Sequence, residues 1–114
     1  MRPIKFRAWD KKEKEMCFLT TNAFKELFLN DCFEKIQTEY EIMQFTGLHD
    51  RHGKDIYEGD ILKYGKRLEP LAMVVFESGM FKSKDKYGWG ELILISEHSE
   101  VVGNIYEDED LLKN

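Results

Sequence analysis

Histidine and carboxylate side chains gather in one polar stretch near the middle of the chain. Its members are His49, Asp50, His52, Asp55, Glu58 and Asp60. These residue types ligate zinc, manganese and iron, and they also form general acid–base pairs. The two histidines, however, are three residues apart across an expected turn, and no third ligand follows at a diagnostic distance. The pattern favours a surface turn over a metal site built on His49 and His52.

Other catalytic groups lack the sequence context that their chemistry needs. The serines show no nucleophile-elbow pattern, and Cys17 has no recognisable basic partner in sequence. His98 stands between Glu97 and Ser99, where a carboxylate could activate it. We favour the interpretation that it is an exposed histidine at the end of a strand. The segment Tyr87–Gly90, YGWG, has neither the lysine nor the strand–helix order of a phosphate-binding loop. We therefore assign no catalytic residue and no cofactor, and the balance is against enzymatic activity.

The size and charge of the chain limit its class. Its 114 residues, 42% of them hydrophobic, predict one domain over residues 1–114 with its own core. A formal net charge of −5 lacks the positive balance of proteins that bind a phosphate backbone. No apolar stretch suits a signal peptide or a bilayer span, and the two cysteines fit a reducing compartment. We expect a cytoplasmic protein that does not contact a membrane.

Hydrophobic periodicity predicts a mainly β fold. Ile4–Trp9 alternates as a half-buried strand does, and Glu15–Leu19 suits its partner in a hairpin. Apolar residues at helical spacing predict one helix over Asn22–Lys35. Further strands are expected at Tyr40–Phe45, Ile61–Tyr64, Ala72–Glu77, Glu91–Ile95 and Val101–Tyr106. Short strands at close spacing predict a small antiparallel β-sheet or β-barrel domain, α+β only to a minor degree, with one inserted helix.

Turn signals divide the central and later strands. Asp50–Gly53 has the composition of a reverse turn, and Glu58–Asp60 predicts a second bend. Gly47 is expected to end the strand before them. The order of turn, apolar pair, Gly-Asp bend and strand looks like the first strand of SH3-like barrels, an analogy of fold only. Ser78–Gly90 predicts a loop or hairpin with aromatic contacts.

Three sequence blocks, in this order, resemble the YopX family. They are Ile4–Met16, the central block Ile42–Tyr64 with its TGL and G-x-x-IYEGD elements, and Glu100–Glu107 with GNIYE. The family consists of small proteins encoded mostly by phages and prophages of bacteria, and it has no accepted active site. The resemblance therefore implies structural motif positions and no catalytic residues. These positions are Thr46, Gly47, Leu48, Gly53, Ile56, Tyr57, Glu58, Gly59, Asp60, Gly103, Asn104, Ile105, Tyr106 and Glu107.

A non-enzymatic phage accessory protein that works by binding is the function we favour from the sequence. We expect a homo-oligomer, in the cytoplasm of a bacterial host, that recognises a phage or host macromolecule. Aromatic residues are enriched at such interfaces. The candidate contact residues are Trp9, Phe81, Tyr87 and Trp89.

Two other functions remain open at this point. A nucleic-acid-binding small barrel would stack bases on a strand face that carries Lys5, Arg7 and Trp9. The negative net charge disfavours it, although Lys63–Arg67 and Lys82–Lys86 are the best candidates for a local basic patch. A metal-dependent enzyme would use the two histidines of the polar stretch and nearby carboxylates.

Overall fold

The computed structural model describes residues 3–19, 22, 38–64 and 71–112. The predicted helix over Asn22–Lys35 lies outside them, apart from Asn22 itself. Strands make up 58% of the described residues and form two antiparallel sheets, which confirms the mainly β prediction. The chain divides into two compact units, Met1–Phe45 and Thr46–Asn114, and their forming one domain stays a prediction.

Three antiparallel strands form the described part of the first unit. Strand β1 (Phe6–Asp10) pairs on one side with β2 (Glu15–Leu19) and on the other with the first part of β3 (Tyr40–His49). The turn after β1 is closed by the Asp10 carboxylate, which accepts hydrogen bonds from two backbone amides of the turn. Because β1 lies between its two neighbours, its three central residues are buried whichever face they point to.

Strand β3 does not end at Gly47, contrary to the expectation. It continues to His49 because Gly47 adopts φ of +87°, a conformation that bends the strand and that L-residues rarely adopt. Beyond this point β3 lies next to β4 (Asp55–Tyr57).

Five strands form the sheet of the second unit. In chain order they are β5 (Asp60–Tyr64), β6 (Ala72–Glu77), β7 (Met80–Asp85), β8 (Gly88–Glu91) and β9 (Ser99–Asn104). Their order across the sheet is β8-β7-β6-β5-β9. Strands β6, β7 and β8 follow one another through two tight turns, so Ser78–Gly90 is mostly paired strand, as its hairpin alternative required.

The hydrophobic core of the second unit lies on one face of this sheet. Its fully buried members are Ile56, Leu62, Ala72, Val74 and Leu92. The last of these belongs to a single helical turn, Leu92–Ile95, that follows β8. The predicted strand at Glu91–Ile95 was therefore wrong, because Leu92–Ile95 is helical.

The physical reason for the correction is the length of the apolar run. Four apolar residues fit a buried strand or one helical turn equally well. Here the turn buries Leu92 and leaves Ile93 66% exposed. The predicted strand Val101–Tyr106 is also displaced, to Ser99–Asn104, and the acidic C-terminal segment forms a 3-10 helix at Glu109–Leu112. In the part of the chain that the structure describes, no helix has the length and apolar character to cross a membrane.

Candidate functional site

The acidic member of the DRHG turn has a structural role. Asp50 is buried, and its carboxylate accepts hydrogen bonds from the amides of His52 and Lys54 at 2.9 Å and of Val101 at 3.0 Å. Burial opposes ionisation of this carboxyl, but the three amides outweigh burial and hold its pKa below the ordinary value. The side chain therefore fastens the turn to β9 and is not available for chemistry.

The two histidines of the polar stretch contact different carboxylates. His49 Nε2 lies 3.1 Å from Asp55 Oδ1, whereas His52 Nε2 lies 3.7 Å from Glu100 Oε1. Arg51 donates to the second oxygen of Glu100 at 3.1 Å. Within the described ranges, no group of three or more His, Cys, Asp or Glu side chains is placed to hold a metal ion. The structure thus divides the stretch into surface pairs and does not bring it together as one centre.

Two of the sequence blocks carry the motif positions, and we call Ile42–Tyr64 the first motif block and Glu100–Glu107 the second. The first motif block braces the bend between β4 and β5. Thr46 Oγ1 donates to the Ile56 carbonyl at 2.7 Å. The buried Asp60 carboxylate accepts the amide of Tyr57, itself buried, at 2.8 Å, across a bend in which Gly59 takes φ of +87°. Glu58 lies half-buried in the bend, and Gly53 ends the DRHG turn at φ of +81°. These positions are explained by backbone geometry.

The second motif block closes the end of β9 in the same manner. Asn104 Oδ1 accepts the amides of Tyr106 and Glu107, and its Nδ2 donates to Glu107 Oε1 at 2.9 Å. Tyr106 is half-buried beside it. At Gly103 an added Cβ would lie 2.6 Å from Asp108 Oδ2, so a larger residue would displace that carboxylate from the Asn104 amide.

The two motif blocks lie side by side. Asp60 pairs with Asn104 in the β5–β9 register, and the Ile105 amide donates to the Gly59 carbonyl at 2.9 Å. The turns use the polar side chains of Thr46, Asp60, Asn104 and Glu107. The blocks therefore form a frame, and a ligand-binding surface has to be sought elsewhere in the molecule.

An exposed aromatic residue flanked by lysines is found on β7 and β8. Trp89 is 50% exposed, and the ammonium groups of Lys84 and Lys82 lie 4.8 Å and 5.8 Å from the centre of its ring. The register explains this, because Lys84 pairs directly with Trp89, and Lys82 with Glu91, so that these side chains share one face of the sheet.

The turn between β7 and β8 extends this surface. Tyr87 is 79% exposed, and the Lys86 ammonium lies 5.4 Å from the centre of its ring. At the other end, Met80, Lys82, Trp89, Gly90 and Glu91 line a shallow depression of about 270 Å³. We call the outward side chains of Met80, Lys82, Lys84, Lys86, Tyr87, Trp89 and Glu91 the Trp89 face.

A carboxylate on the opposite side of β7 holds the turn in place. Asp85 accepts the Tyr64 hydroxyl at 2.6 Å and the amides of Tyr87 and Gly88. The hydrogen bond to Asp85, with burial and the carboxylate charge, raises the pKa of Tyr64 to about 12. The same bond, aided by the two amides, lowers the pKa of Asp85 against the effect of burial. The residues that lead into Trp89 are thereby fixed.

The candidate contact residues fall into two groups. Tyr87 and Trp89 are exposed and lie two residues apart in sequence, whereas Phe81 is half-buried, packs edge-on against Phe76 and contacts the core. Trp9 is only 8% exposed. A buried ring offers no surface to a partner, which corrects its assignment as a contact residue.

The proposed strip along β1 does not form. Lys5 lies over the Phe45 ring at 4.8 Å, and Arg7 is only 5% exposed. The physical reason is that three successive residues of β1, which alternate between its two faces, are all buried: Arg7, Ala8 and Trp9. From the sequence, the lysines of Lys82–Lys86 are only a candidate basic patch, and no site is built on them. Their alternation ahead of a return strand that carries Trp89 was the available signal.

The chain is similar to known proteins over nearly its whole length. The sequence pattern of the family described as YopX protein matches residues 5–113. A crystal structure of protein EF1440 from Enterococcus faecalis is similar in fold, with a TM-score of 0.66 and 25% sequence identity, covering 99% of this chain and 100% of that one. No curated protein matches the chain. The family match spans the sequence blocks and the frame that they build, and the chain belongs to the YopX family.

Proposed function

We propose that this YopX-family protein is a non-enzymatic binding module, a phage or prophage accessory protein that acts in the cytoplasm of its bacterial host. The observation that carries the proposal is Trp89, a large aromatic side chain that stays half-exposed beside two lysines of the neighbouring strand. Exposed aromatics with a charged rim mark interaction sites, because they contribute large contact area at little cost in conformational entropy.

The rest of the candidate chemistry supports the same function. The polar side chains of both motif blocks are engaged in turns, and the two histidines contact separate carboxylates. A binding module needs a rigid frame and an accessible face. The motif blocks suit the first role, and the Trp89 face suits the second.

A variant-controlled pull-down from lysate of a bacterium carrying the phage tests this proposal. We expect the wild-type protein and Leu111→Ala to retain the same species, and Trp89→Ala to lose it. Leu111 is a suitable control because it is apolar, 39% exposed and placed in the C-terminal 3-10 helix, away from β8 in sequence. Retention that does not change in Trp89→Ala would contradict the proposal, provided that circular dichroism shows the variant to be folded.

A further inference from the structure

We propose that the Trp89 face binds single-stranded nucleic acid, with bases stacked on Trp89 and Tyr87 and phosphates held by Lys84 and Lys86. This inference rests on the proposed function, since it names the ligand of the same face. Arg7 and Trp9 of β1 are buried, whereas Tyr87 and Trp89 at β7 and β8 are exposed, so the base-stacking surface is expected on the second pair of strands.

The aromatic part of the face suits stacking. Tyr87 and Trp89 are two residues apart and both present half or more of their surface. Every base has a flat face, so such a platform accepts a strand whatever its sequence. A duplex hides its base faces in the stack, which is why the open rings indicate a single strand.

The lysines suit the phosphates. Each of three ammonium groups lies within 6 Å of the centre of an exposed ring. An exposed cation–π contact is weak, and the long lysine side chain is flexible. When a base stacks on the ring in place of the lysine ammonium group, the displaced ammonium group remains close enough to contact the adjoining phosphate.

Charge is distributed unevenly along the face. Lys84 and Lys86 lie towards the turn, whereas Glu91 and Glu77 lie beside Lys82 and Met80 at the opposite end. The only carboxylate between the two turn lysines in sequence, Asp85, points to the other side of β7 and is bound to Tyr64. Phosphates are therefore expected at the turn, and a base in the depression beside Trp89.

An extended peptide is the main competing ligand, and the strand geometry disfavours it. Among the described residues β8 is the outermost strand of its sheet, where a peptide could be added. It has only four residues, however, and begins at Gly88 with φ of +133°. Short, irregular edges are poor templates for an added strand.

Oligonucleotide binding tests the inference directly. The probe is a fluorescein-labelled dodecamer of thymidylate, titrated with the full chain and followed by fluorescence anisotropy and by tryptophan emission. We expect saturable binding in 50 mM salt with quenching of the exposed Trp89. Two phosphate contacts predict a roughly sevenfold loss of affinity at 200 mM salt.

Variants separate stacking from charge. Trp89→Ala is expected to weaken binding about tenfold or more. The double variant Lys84→Glu/Lys86→Glu should abolish binding in 50 mM salt, while Lys12→Glu, an exposed lysine of the β1–β2 turn, should bind like the wild type. No binding at 50 mM salt, or binding that survives in Trp89→Ala, would overturn the inference.

A labelled dodecamer of glutamate distinguishes the two proposals. If it binds in a Trp89-dependent manner and the oligonucleotide does not, the ligand is an acidic peptide, and the binding-module function stands while the nucleic-acid inference fails. If neither probe binds and the lysate species does not depend on Trp89, both fail.

Discussion

Single aspartates determine much of the local geometry in this protein. Five of them accept backbone amides at turns or strand ends: Asp10, Asp50, Asp60, Asp85 and Asp108. The formal charge of −5 counts these groups as if all faced solvent. Because amide dipoles oppose their charge, and Asp50 and Asp60 are buried, the net charge is a poor guide to the potential at any one face.

Replacement of Asp50 should show the size of one such contribution. Asp50→Asn keeps the shape but removes the charge and replaces one acceptor oxygen with a donor, so amides that join the turn to β9 lose their partner. We expect a loss of about 2 kcal/mol in the free energy of unfolding, measured with urea at pH 7. Glu109→Gln, on the exposed C-terminal 3-10 helix, is the control and should change stability little.

The same substitution gives a pH dependence of known sign. Since the pKa of Asp50 is lower in the folded state, its stabilisation is present above the unfolded value of 3.8 and is lost as the pH falls through the folded value. The stability difference between wild type and Asp50→Asn should therefore shrink below about pH 4. A difference that stays constant down to pH 2 would contradict this account.

The Tyr64–Asp85 hydrogen bond gives the opposite dependence. The pKa of Tyr64 is raised to about 12, so its stabilisation is complete below the ordinary value of 10.0 and disappears as the pH rises through 12. Tyr64→Phe should cost about 1–2 kcal/mol at pH 7. Phenolate absorbance at 295 nm should lose its step near pH 12 in this variant, and retention of that step would assign it to another tyrosine.

At the scale of elements, the β7–β8 pair depends on a close approach of two small residues. Gly90 pairs with Ser83, and a Cβ added at Gly90 would lie 2.8 Å from the buried Ser83 Oγ. Gly90→Ala should destabilise the protein by roughly 1–2 kcal/mol and alter Trp89 emission, because the buried Ser83 hydroxyl or the strand that carries it must shift.

A double variant tests this cause. Ser83→Ala removes the obstructing hydroxyl, so Ser83→Ala/Gly90→Ala should recover much of the stability lost in Gly90→Ala. Losses that simply add in the double variant would show that the close approach is not the reason for glycine at this position.

Which segments form strands was more predictable from the sequence than the order of those strands within a sheet. Glu15–Leu19 and Ala72–Glu77 were predicted with the bounds that the structure has, because their composition and flanking turns leave little choice. Trp9 and Trp89 are different, since each is the single tryptophan of a short strand and the local sequence does not show which of them is buried. Only the order β2-β1-β3 makes one central and β8-β7-β6 makes the other peripheral, and strand order is not encoded in local periodicity. The exposure of Trp89, and with it the candidate site, therefore follows from the order of the strands in the sheet.

At the scale of the whole molecule, the division of the motif blocks from the Trp89 face explains how the family resemblance can specify a fold without specifying a ligand. The motif positions secure bends at β4–β5 and at the end of β9. The Trp89 face lies on β7 and β8, at the edge of the five-stranded sheet opposite to β9. Its side chains can change without disturbing that frame, so we expect ligand preference to depend on the lysines and aromatics of the face.

Assembly is the remaining property expected of the whole molecule. Phe18 is 66% exposed on β2, the outermost strand of its sheet among the described residues, and edge strands with exposed apolar side chains favour self-association. Native mass spectrometry of the wild type should therefore show a homo-oligomer. Phe18→Lys should shift the protein towards the monomer, because association of two copies through β2 would then bury an added charge. Leu111→Lys is the control and should leave the assembly intact. A wild-type monomer would contradict the expectation, and an assembly that survives Phe18→Lys would place the interface on another surface.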